Sequence, residues 1–246
     1  MKTSAIIEAR MGSNRLPGKV LMQAAKKPML EHLINRLKKV KTIDEIILAT
    51  SENTKDDILI EFANKNKIKY FRGSENDVLS RVLNAGKHYD VEDIVGITGD
   101  CPIIDPNIVE QVISIYKNND VSFVTNALVR SFPDGMDAII YNLSTLKKSS
   151  DLAKTKKERE HTTLNMNSNP KIFSYINLVS PPELHWPELG LTLDEEEDYI
   201  FLKKIIEHFE VKNPFFTCSD VIKLIKANPE LQMINNNVQR TNILKI

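Results

Sequence analysis

Short apolar runs alternate with amphipathic stretches from residue 4 to residue 125, and this alternation constrains the fold more than any other feature of the chain. Residues 4–8 have the character of a buried strand. Over residues 29–41, apolar side chains recur at helical spacing with lysines on the opposite face. Strands separated by helices require right-handed crossovers and build a parallel sheet that helices cover on both faces. The pattern therefore predicts an α/β fold with a doubly wound, mostly parallel sheet.

The same periodicities locate the individual elements of this half of the chain. Thr54 is the predicted N-cap of the second helix, because Asp56 and Asp57 then stand in the first turn, where carboxylates suit the helix dipole. Strands are predicted at residues 4–8, 45–50, 68–72, 93–98 and 121–125, and helices at residues 29–41, 54–65, about 76–88 and 106–118.

The pattern changes after residue 126. The stretch "RSFPDGMDAIIY" (130–141) is a turn followed by an alternating run, and a polar stretch then leads to the strand-like "IFSYINL". We expect a small hairpin-like excursion beyond the main sheet at 127–180, within a single domain of residues 1–246. "GLTLDEEEDYIFLKKII" (190–206) is predicted to return as a strand and then a helix. The Asn-rich "INNNVQRTN" (234–242) is expected to be weakly ordered or docked on a neighbour.

The amino-acid composition argues against several functional classes of protein. Lys and Arg total 33, as do Asp and Glu, so no global basic field favours nucleic acid or an anionic membrane. Cys101 and Cys218 match no zinc or redox spacing, which indicates a reducing compartment, and Cys101 lacks the basic neighbour of a reactive thiol. No signal peptide or segment of membrane-spanning length is recognisable. We therefore expect a cytoplasmic protein that neither binds nucleic acid nor inserts into a membrane.

The loop after the first predicted strand, "ARMGSNRLPGKVL" (9–21), combines two glycines with Arg10, Arg15 and Lys19. Glycine permits positive φ and close backbone approach, so such a loop can turn its N–H groups toward a phosphate while the cations supply charge. The loop matches neither the dinucleotide fingerprint nor the Walker A motif. It is predicted to be a local anion site; the alternative is a solvated basic loop that ends a strand.

The loop resembles the signature loop of the sugar-activating cytidylyltransferases, particularly the spore-coat polysaccharide and keto-deoxyoctulosonate cytidylyltransferase-like group of CMP-sugar synthetases. The resemblance covers most of the chain, in the expected order, and implies a Rossmann-like nucleotidyltransferase fold. Besides the loop, it rests on the segments "IDEIILATS", "FRGSENDVLSR", "ITGDCPIIDP", "FPDGMDA", "EREHTT" and "LTLDEEEDY".

This resemblance implies roles for the residues of the opening loop. Lys19 and Arg10 would act in catalysis together with Asp100, because cations that neutralise pyrophosphate make it a better leaving group. Gly12 and neighbouring backbone amides, that of Met11 among them, would cradle the phosphates. The triphosphate-binding set is Arg10, Met11, Gly12, Ser13, Arg15 and Lys19.

The resemblance also implies a Mg²⁺ site formed by Asp100 and Asp194. Asp100 stands in "GDCP", just beyond a predicted strand, where ligands bind in doubly wound sheets. Two carboxylates combined with phosphate oxygens and water suit Mg²⁺. At Asp194 the chain departs from the family, because Glu195 and Glu196 stand where Thr-Pro is usual. The alternative is that Asp194 caps a helix with an acidic first turn.

Residues near the nucleotide base are implied by "FRGSENDVLSR". Arg72, Ser74 and Asp77 are the candidates for base or ribose contacts, and Asp100 completes the nucleotide-binding set. A structural alternative exists for two of them, because Ser74 and Asp77 have the S-x-x-D spacing of a capping box.

The acceptor residues implied by "FPDGMDA" and "EREHTT" are Asp134, Gly135, Asp137 and His161. Asp134 and Gly135 also form a favourable turn sequence, and His161 is equally consistent with pairing inside a helix. Arg130 and Arg159 are not distinguished by spacing as partners of an acceptor anion.

The function implied by the resemblance is Mg²⁺-dependent transfer of CMP from CTP to a 2-keto-3-deoxy sugar acid by a homodimer, with release of pyrophosphate. A small anionic sugar-like molecule would thus be the second substrate, and the product would serve surface polysaccharide synthesis. The residues leave two alternatives open: a phosphorylated or phosphonate acceptor, and a non-catalytic nucleotide-binding regulator on the same fold. No general base is identifiable from the sequence.

Overall fold

The computed structural model describes residues 2–240, and the elements below refer to that range. The strands are β1 (Thr3–Glu8), β2 (Gln23–Ala24), β3 (Lys27–Pro28), β4 (Glu45–Ser51), β5 (Lys69–Gly73), β6 (Asp93–Thr98), β7 (Phe123–Thr125), β8 (Ile139–Asn142) and β9 (Tyr175–Asn177). The helices are α1 (Met29–Leu37), α2 (Asp57–Lys65), α3 (Val78–His88), α4 (Pro106–Lys117), α5 (Leu143–Leu152), α6 (Lys156–Glu160), α7 (Leu164–Ser168), α8 (Glu196–Phe209) and α9 (Cys218–Ala227).

Seven strands form one sheet in the order β5-β4-β1-β6-β8-β7-β9. The first four run parallel to one another, with β1 between β4 and β6. β8 is antiparallel to both of its neighbours, and β9 is parallel to β7 at the edge. The predicted doubly wound, mostly parallel sheet is confirmed, and its central strand β1 leads directly into the opening loop.

The core lies on both faces of this sheet because side chains alternate along a strand. In β1, Ala5 and Ile7 pack against one hydrophobic layer with α1, α2 and α4. Ile6 packs into the opposite layer with α3 and α5. All three side chains are fully buried, and a fully buried isoleucine contributes about 1.5–3 kcal/mol. A third apolar cluster joins α8 and α9 to residues 189–193.

The alternating run of the excursion expected at 127–180 is present as β8, but it does not lie beyond the main sheet. β8 is inserted between β6 and β7. Ile140 and Tyr141 of β8 are fully buried, since they pack on the two faces of the sheet. The alternating pattern correctly indicated a strand, but it carries no information about which strands become its neighbours.

Two local predictions were wrong. Residues 191–193 are not a strand: their leucines are buried in the cluster with α8, and only Gly190 makes an isolated bridge, to Asp134. The alternation of apolar residues in this segment reflects burial of one of its sides and not pairing within a sheet. The predicted N-cap Thr54 instead begins a 3₁₀ turn (Thr54–Asp56), which Asn53 caps by accepting a hydrogen bond from the Lys55 N–H.

The C-terminal segment is docked on its own chain as far as Arg240, whose guanidinium donates to Asp198 in α8. Residues 241 and 242 of the Asn-rich stretch lie outside the described residues. Within the described residues, no helix is long and apolar enough to cross a membrane.

Candidate active site

The opening loop (9–21) is fixed at the carboxyl end of the sheet by backbone hydrogen bonds. Gly18 has a φ of 73°, which favours glycine, and its N–H donates to the Met11 carbonyl at 2.9 Å. The Met11 N–H in turn donates to Asp56 Oδ1 at 2.7 Å. Asp56, which the sequence suggested only as a first-turn carboxylate, also accepts from the last residue of β4. A 3₁₀ turn (Lys19–Leu21) follows and aims Lys19 back across the sheet edge.

Lys19 joins the two predicted metal ligands. Its Nζ lies 3.2 Å from Asp100 Oδ2 and 3.0 Å from Asp194 Oδ1, and Arg15 Nη2 lies 2.8 Å from the same oxygen of Asp194. The backbone brings these parts together because the Leu193 N–H donates to the Asp100 carbonyl at 2.8 Å. Residues 175 positions apart in the chain thus form one charged cluster.

The electrostatics of this cluster follow from its ion pairs. Burial alone would lower the pKa of Lys19, but the facing carboxylates of Asp100 and Asp194 raise it above its ordinary value. Burial opposes ionisation of Asp194 as well, yet Lys19 and Arg15 hold the pKa of Asp194 below its usual value. Lys19 and Asp194 are therefore charged near neutral pH, which is the state that phosphate and cation binding require.

The carboxylate pair has the chemistry of a Mg²⁺ site, and the predicted binding of Mg²⁺ stays a prediction. Asp100 and Asp194 present oxygens to a single ammonium, so they are close enough to share a small cation. No cluster of three His, Cys, Asp or Glu residues that could hold a metal occurs within residues 2–240. Two carboxylates, completed by phosphate oxygens and water, are the donor set typical of Mg²⁺ in phosphoryl-transfer sites.

Asp194 is not the cap of α8, so the structural alternative for this residue does not hold. Glu195 is the N-cap and forms a capping box with Asp198. Asp198 Oδ2 accepts from the backbone N–H groups of Asp194 and Glu195, both at 3.1 Å. Its Oδ1 accepts from Asn235 at 2.8 Å and from Arg240 at 2.7 Å. The Asp194 carboxylate is consequently free to face Lys19 and Arg15.

The predicted base-contact residues divide into two groups. Ser74 Oγ accepts from the Asp77 N–H at 3.0 Å, and Asp77 caps α3 by accepting from the Ser80 N–H at 2.8 Å. Asp77 is thus the N-cap of α3 and Ser74 holds the turn before it, so the predicted capping box with Ser74 as the cap is not formed. Arg72 reaches the end of β4, where its Nε donates to the Ser51 carbonyl at 3.0 Å. Nucleotide contact by these residues stays a prediction.

Arg10 lies beside a cleft between the opening loop and the end of β4. Its Nη1 contacts Glu75 Oε1 at 3.4 Å. The cleft is lined by Met11, Gly12, Ser13, Asn14, Pro17, Asn53, Lys55, Asp56 and Glu75. Three of the predicted phosphate-loop residues, Met11, Gly12 and Ser13, therefore share one concave surface.

A second cavity contains two of the four predicted acceptor residues. Asp137 and His161 line it together with Arg130, which lies 3.0 Å from Asp134 Oδ1 and 3.3 Å from Asp137 Oδ2. Gly135 is not among the lining residues. It packs against the Leu191 backbone, which a Cβ on residue 135 would meet at 2.6 Å. Gly135 thus has a packing role, and Asp134 acts on the cavity through Arg130.

Of the two arginines that spacing could not distinguish, only Arg130 lines this cavity. Arg159 instead donates to the carbonyls of Ser150 and Ala153 and lies 3.7 Å from Asp77. It holds α6 against its neighbours.

The cavity changes the ionisation of its side chains. Burial raises the pKa of Asp137 to about 7, and the charges of Asp134 and Asp100 add to this against the opposing effect of Arg130. Burial also lowers the pKa of His161, so its ring is neutral near pH 7. Cys101 is a packed thiol as expected, since burial raises its pKa well above the ordinary value.

Two residues that line the cavity were not predicted from the sequence. Glu8 ends β1 and accepts a hydrogen bond from Thr162 Oγ1 at 2.7 Å. The sequence feature that could have indicated Glu8 is a charged residue at the end of an otherwise apolar strand. Tyr141 lines the cavity from β8, but as one apolar position in an alternating run it carried no signal at all.

A doubly wound sheet with a basic glycine loop after β1 and paired carboxylates at the sheet edge defines the class of nucleotidyltransferases. A family model described as "Cytidylyltransferase" matches residues 4–225, and the chain belongs to this family of nucleotide-transferring enzymes. The resemblance found in the sequence motifs is confirmed.

Individual relatives agree with this assignment. The chain is 31% identical over 232 residues to the spore coat polysaccharide biosynthesis protein SpsF of Bacillus subtilis, covering 92% of this chain and 94% of the relative. It is 30% identical over 114 residues to a 3-deoxy-manno-octulosonate cytidylyltransferase of Geobacter metallireducens, covering 46% of this chain and 44% of the relative. A solved cytidylyltransferase from Leptospira borgpetersenii superposes with a TM-score of 0.90 at 35% identity, covering 98% and 100% of the two chains.

Proposed function

We propose that this cytidylyltransferase transfers CMP from CTP to a 2-keto-3-deoxy sugar acid with the aid of Mg²⁺ and releases pyrophosphate. The observation that carries the proposal is the contact of Lys19 with both Asp100 and Asp194 at the end of the opening loop. An ammonium beside two carboxylates provides partners for the phosphate oxygens and for a metal at one point of the sheet edge.

The opening loop binds the triphosphate in this proposal. Lys19 and Arg15 already share the Asp194 carboxylate, so their charges point into one small volume. Phosphate oxygens that exchange for this carboxylate gain two charge-assisted contacts. Neutralising the departing pyrophosphate lowers the barrier to its release.

Mg²⁺ held by Asp100 and Asp194 would supply Lewis-acid stabilisation of the phosphate charge. Asp198 accepts from the Asp194 N–H and so orients the Asp194 backbone, while the Leu193 N–H fixes the Asp100 backbone. The chain thus holds both carboxylates in place by hydrogen bonds to the backbone on each side.

The acceptor occupies the cavity around Asp137, Arg130 and His161. An acceptor oxygen attacks the α-phosphorus, the new O–P bond forms, and the bond to pyrophosphate breaks. Arg130 is the cation that meets the acid group of the acceptor, and Asp137 and the neutral His161 bind its hydroxyls. The name of the Geobacter relative, a 3-deoxy-manno-octulosonate cytidylyltransferase, supports a keto-deoxy acid. The Bacillus relative's name supports use of the product in a polysaccharide pathway.

The test is pyrophosphate release from each of the four nucleoside triphosphates with Mg²⁺, against 3-deoxy-manno-octulosonate, a sugar phosphate and a phosphonate. Mass spectrometry then identifies the product. Release with CTP and the keto-deoxy acid alone, giving a CMP-linked sugar, is the expected result. Release only with the phosphate or phosphonate would replace the acceptor class, and absence of CTP binding in calorimetry would remove the nucleotide assignment.

A further inference from the structure

The acceptor cavity extends beyond Asp137 and His161 to an inner end, the cavity floor. We define the floor as Glu8, Gly96, Tyr141, Thr162 and Asn167, all of which line the cavity. Thr98 at the end of β6 lines the mouth, and Gly96 lies two residues, or roughly 7 Å, further into the sheet. Glu8 lies in register with Thr98 on the neighbouring strand β1, whereas Tyr141 lies opposite Ile94, so the floor extends from the level of Thr98 inward along the sheet.

The Tyr141 side chain points an unused hydroxyl into this floor. Tyr141 is 0% exposed, and its Oη has no hydrogen-bond partner among the described residues. Buried polar groups are nearly always hydrogen-bonded, so an unpartnered one facing a cavity indicates a missing ligand group. Gly96 keeps the space beside it open, because a Cβ there would lie 3.4 Å from Tyr141 Oη and 3.0 Å from Ile139 Cγ2.

Two further floor groups have oxygen atoms with unused capacity. Glu8 accepts one side-chain hydrogen bond, from Thr162, although a carboxylate can accept about four. Asn167 Oδ1 is buried and has no partner among the described residues, while its Nδ2 reaches Thr163 Oγ1 at 3.4 Å. Both groups can therefore accept further hydrogen bonds from a bound donor.

The charges around the floor disfavour an anion. Arg130 is the one Lys or Arg among the lining residues of this cavity, and the proposed function assigns it to the acid group of the acceptor. Arg81 acts on Glu8 from α3, but its guanidinium donates to the Ser74 carbonyl at 2.7 Å and does not line the cavity. A phosphate or carboxylate at the floor would face the Glu8 carboxyl without a free cation.

We propose that Glu8, Tyr141 and Asn167 form a subsite for a hydrogen-bond-donating, non-anionic group of the acceptor, a hydroxyl or an amine. The inference rests on the proposed function, since it assigns the inner part of the same acceptor cavity. Glu8 and Asn167 accept hydrogen bonds from this group, and the Tyr141 hydroxyl completes its coordination. Apolar walls formed by Leu128, Ile139 and Leu164 contact the carbon skeleton.

The test compares three probe acceptors that differ only at one end: 3-deoxy-manno-octulosonate, its 8-amino-8-deoxy analogue and its 8-phosphate. Pyrophosphate release from CTP gives kcat/KM for each. The wild-type enzyme is expected to have a kcat/KM tenfold or more higher for the hydroxyl and amine probes than for the phosphate, because the phosphate would be buried without a cationic partner. The ratio of amine to hydroxyl distinguishes the two donor groups.

Two variants test the residues themselves. Tyr141→Phe removes only the hydroxyl and Glu8→Gln only the charge; each is expected to raise the acceptor KM about five- to tenfold while the KM for CTP is unchanged. Glu8→Gln also reduces the preference for the amine. Tyr175→Phe is the matched control, because Tyr175 lies exposed on the edge strand β9.

The outcomes separate this inference from the proposed function. Turnover of all three probes with equal kcat/KM, or unchanged acceptor KM in both variants, would overturn the subsite and leave the reaction intact. If wild-type enzyme neither turns over nor binds any of the probes in calorimetry with CTP present, the proposed acceptor class falls, and the subsite falls with it.

Discussion

Lys19 separates two carboxylates that would otherwise repel each other. Asp100 and Asp194 both contact its ammonium, so the site is charge-compensated before a substrate enters. An incoming triphosphate competes with these carboxylates for Lys19, and a cation bound by the carboxylates relieves that competition. Nucleotide and metal binding are therefore expected to favour each other.

Asp100→Asn tests the metal role of Asp100 by replacing one carboxylate oxygen with an amide nitrogen. The amide is nearly isosteric but lacks charge, so half of the anionic donor set is lost. We expect kcat to fall by about a hundredfold at fixed Mg²⁺ and the Mg²⁺ concentration for half-maximal rate to rise by about tenfold or more. A Mg²⁺ titration of the rate measures both. Asp120→Asn, at an exposed position, serves as control; an intact rate in Asp100→Asn would disprove the assignment.

Asp137→Asn is expected to change how stability depends on pH. In the unfolded chain this carboxyl ionises near pH 4, whereas burial raises its folded pKa to about 7. Between these values the folded state binds more protons, so ionisation of Asp137 makes stability fall as pH rises from about 4 to about 7. The variant should be more stable than wild type at pH 8, by about 4 kcal/mol, and equally stable at pH 4.

Urea unfolding at pH 4, 6 and 8 measures this difference. A variant whose stability differs from the wild type by the same amount at all three pH values would show that Asp137 does not titrate in that range.

At the residue level, the sequence motifs grouped residues that the structure places together, and the roles of these residues in nucleotide and metal binding stay predictions. Lys19, Asp100 and Asp194 are charged residues beside a glycine loop or at an apolar stretch, and the structure brings them together. Tyr141 could not be found in this way, because its unpaired hydroxyl is a property of the packed structure rather than of a motif. Gly135 packs tightly against Leu191, which the sequence did not indicate, and its predicted acceptor role stays a prediction.

At the scale of elements, the docked C-terminal segment supports the N-terminus of α8. Asp198 is 0% exposed, and its carboxylate depends on Asn235 and Arg240 for the hydrogen bonds of Oδ1. The same side chain holds the backbone N–H groups of Asp194 and Glu195 through Oδ2. Tail docking and the geometry of Asp194 are thereby mechanically linked.

Arg240→Gln is expected to destabilise the protein and to weaken the site. It removes the cationic partner of a buried carboxylate and the contact with Thr192 Oγ1, so we expect a loss of about 2–3 kcal/mol in the free energy of unfolding. Urea unfolding measures this loss, and hydrogen exchange at the Asp194 and Glu195 amides should become faster. Arg240→Lys should lose less, because it retains the charge. Unchanged stability and exchange would contradict the link.

Element prediction from sequence was limited by what periodicity reports. β6 was predicted with its observed bounds, and the amphipathic helices were found to within a few residues. Periodicity measures burial, however, so residues 191–193 were interpreted as a strand because their leucines are buried on one side. The position of β8 inside the sheet depends on long-range pairing with β6 and β7, which no local pattern encodes.

At the scale of the whole molecule, the homodimer implied by the family resemblance stays a prediction. Strand β9 lies at the edge of the sheet. Val129 and Val179 near this edge are 59% and 56% exposed, and Tyr175 and Ile172 are also exposed. We expect the protein to sediment as a dimer and the double variant Val129→Asp, Val179→Asp to sediment as a monomer. A wild-type monomer at working concentration would remove this prediction.

The most direct test of the account is the effect of Lys19→Ala on CTP binding and pyrophosphate release, with the exposed Lys65→Ala as control. We predict that CTP affinity is at least about tenfold lower and kcat on the order of a hundredfold to a thousandfold lower for Lys19→Ala, with the control unchanged. Wild-type affinity and rate in Lys19→Ala would mean that the opening loop does not bind the triphosphate, and the central claim would be wrong.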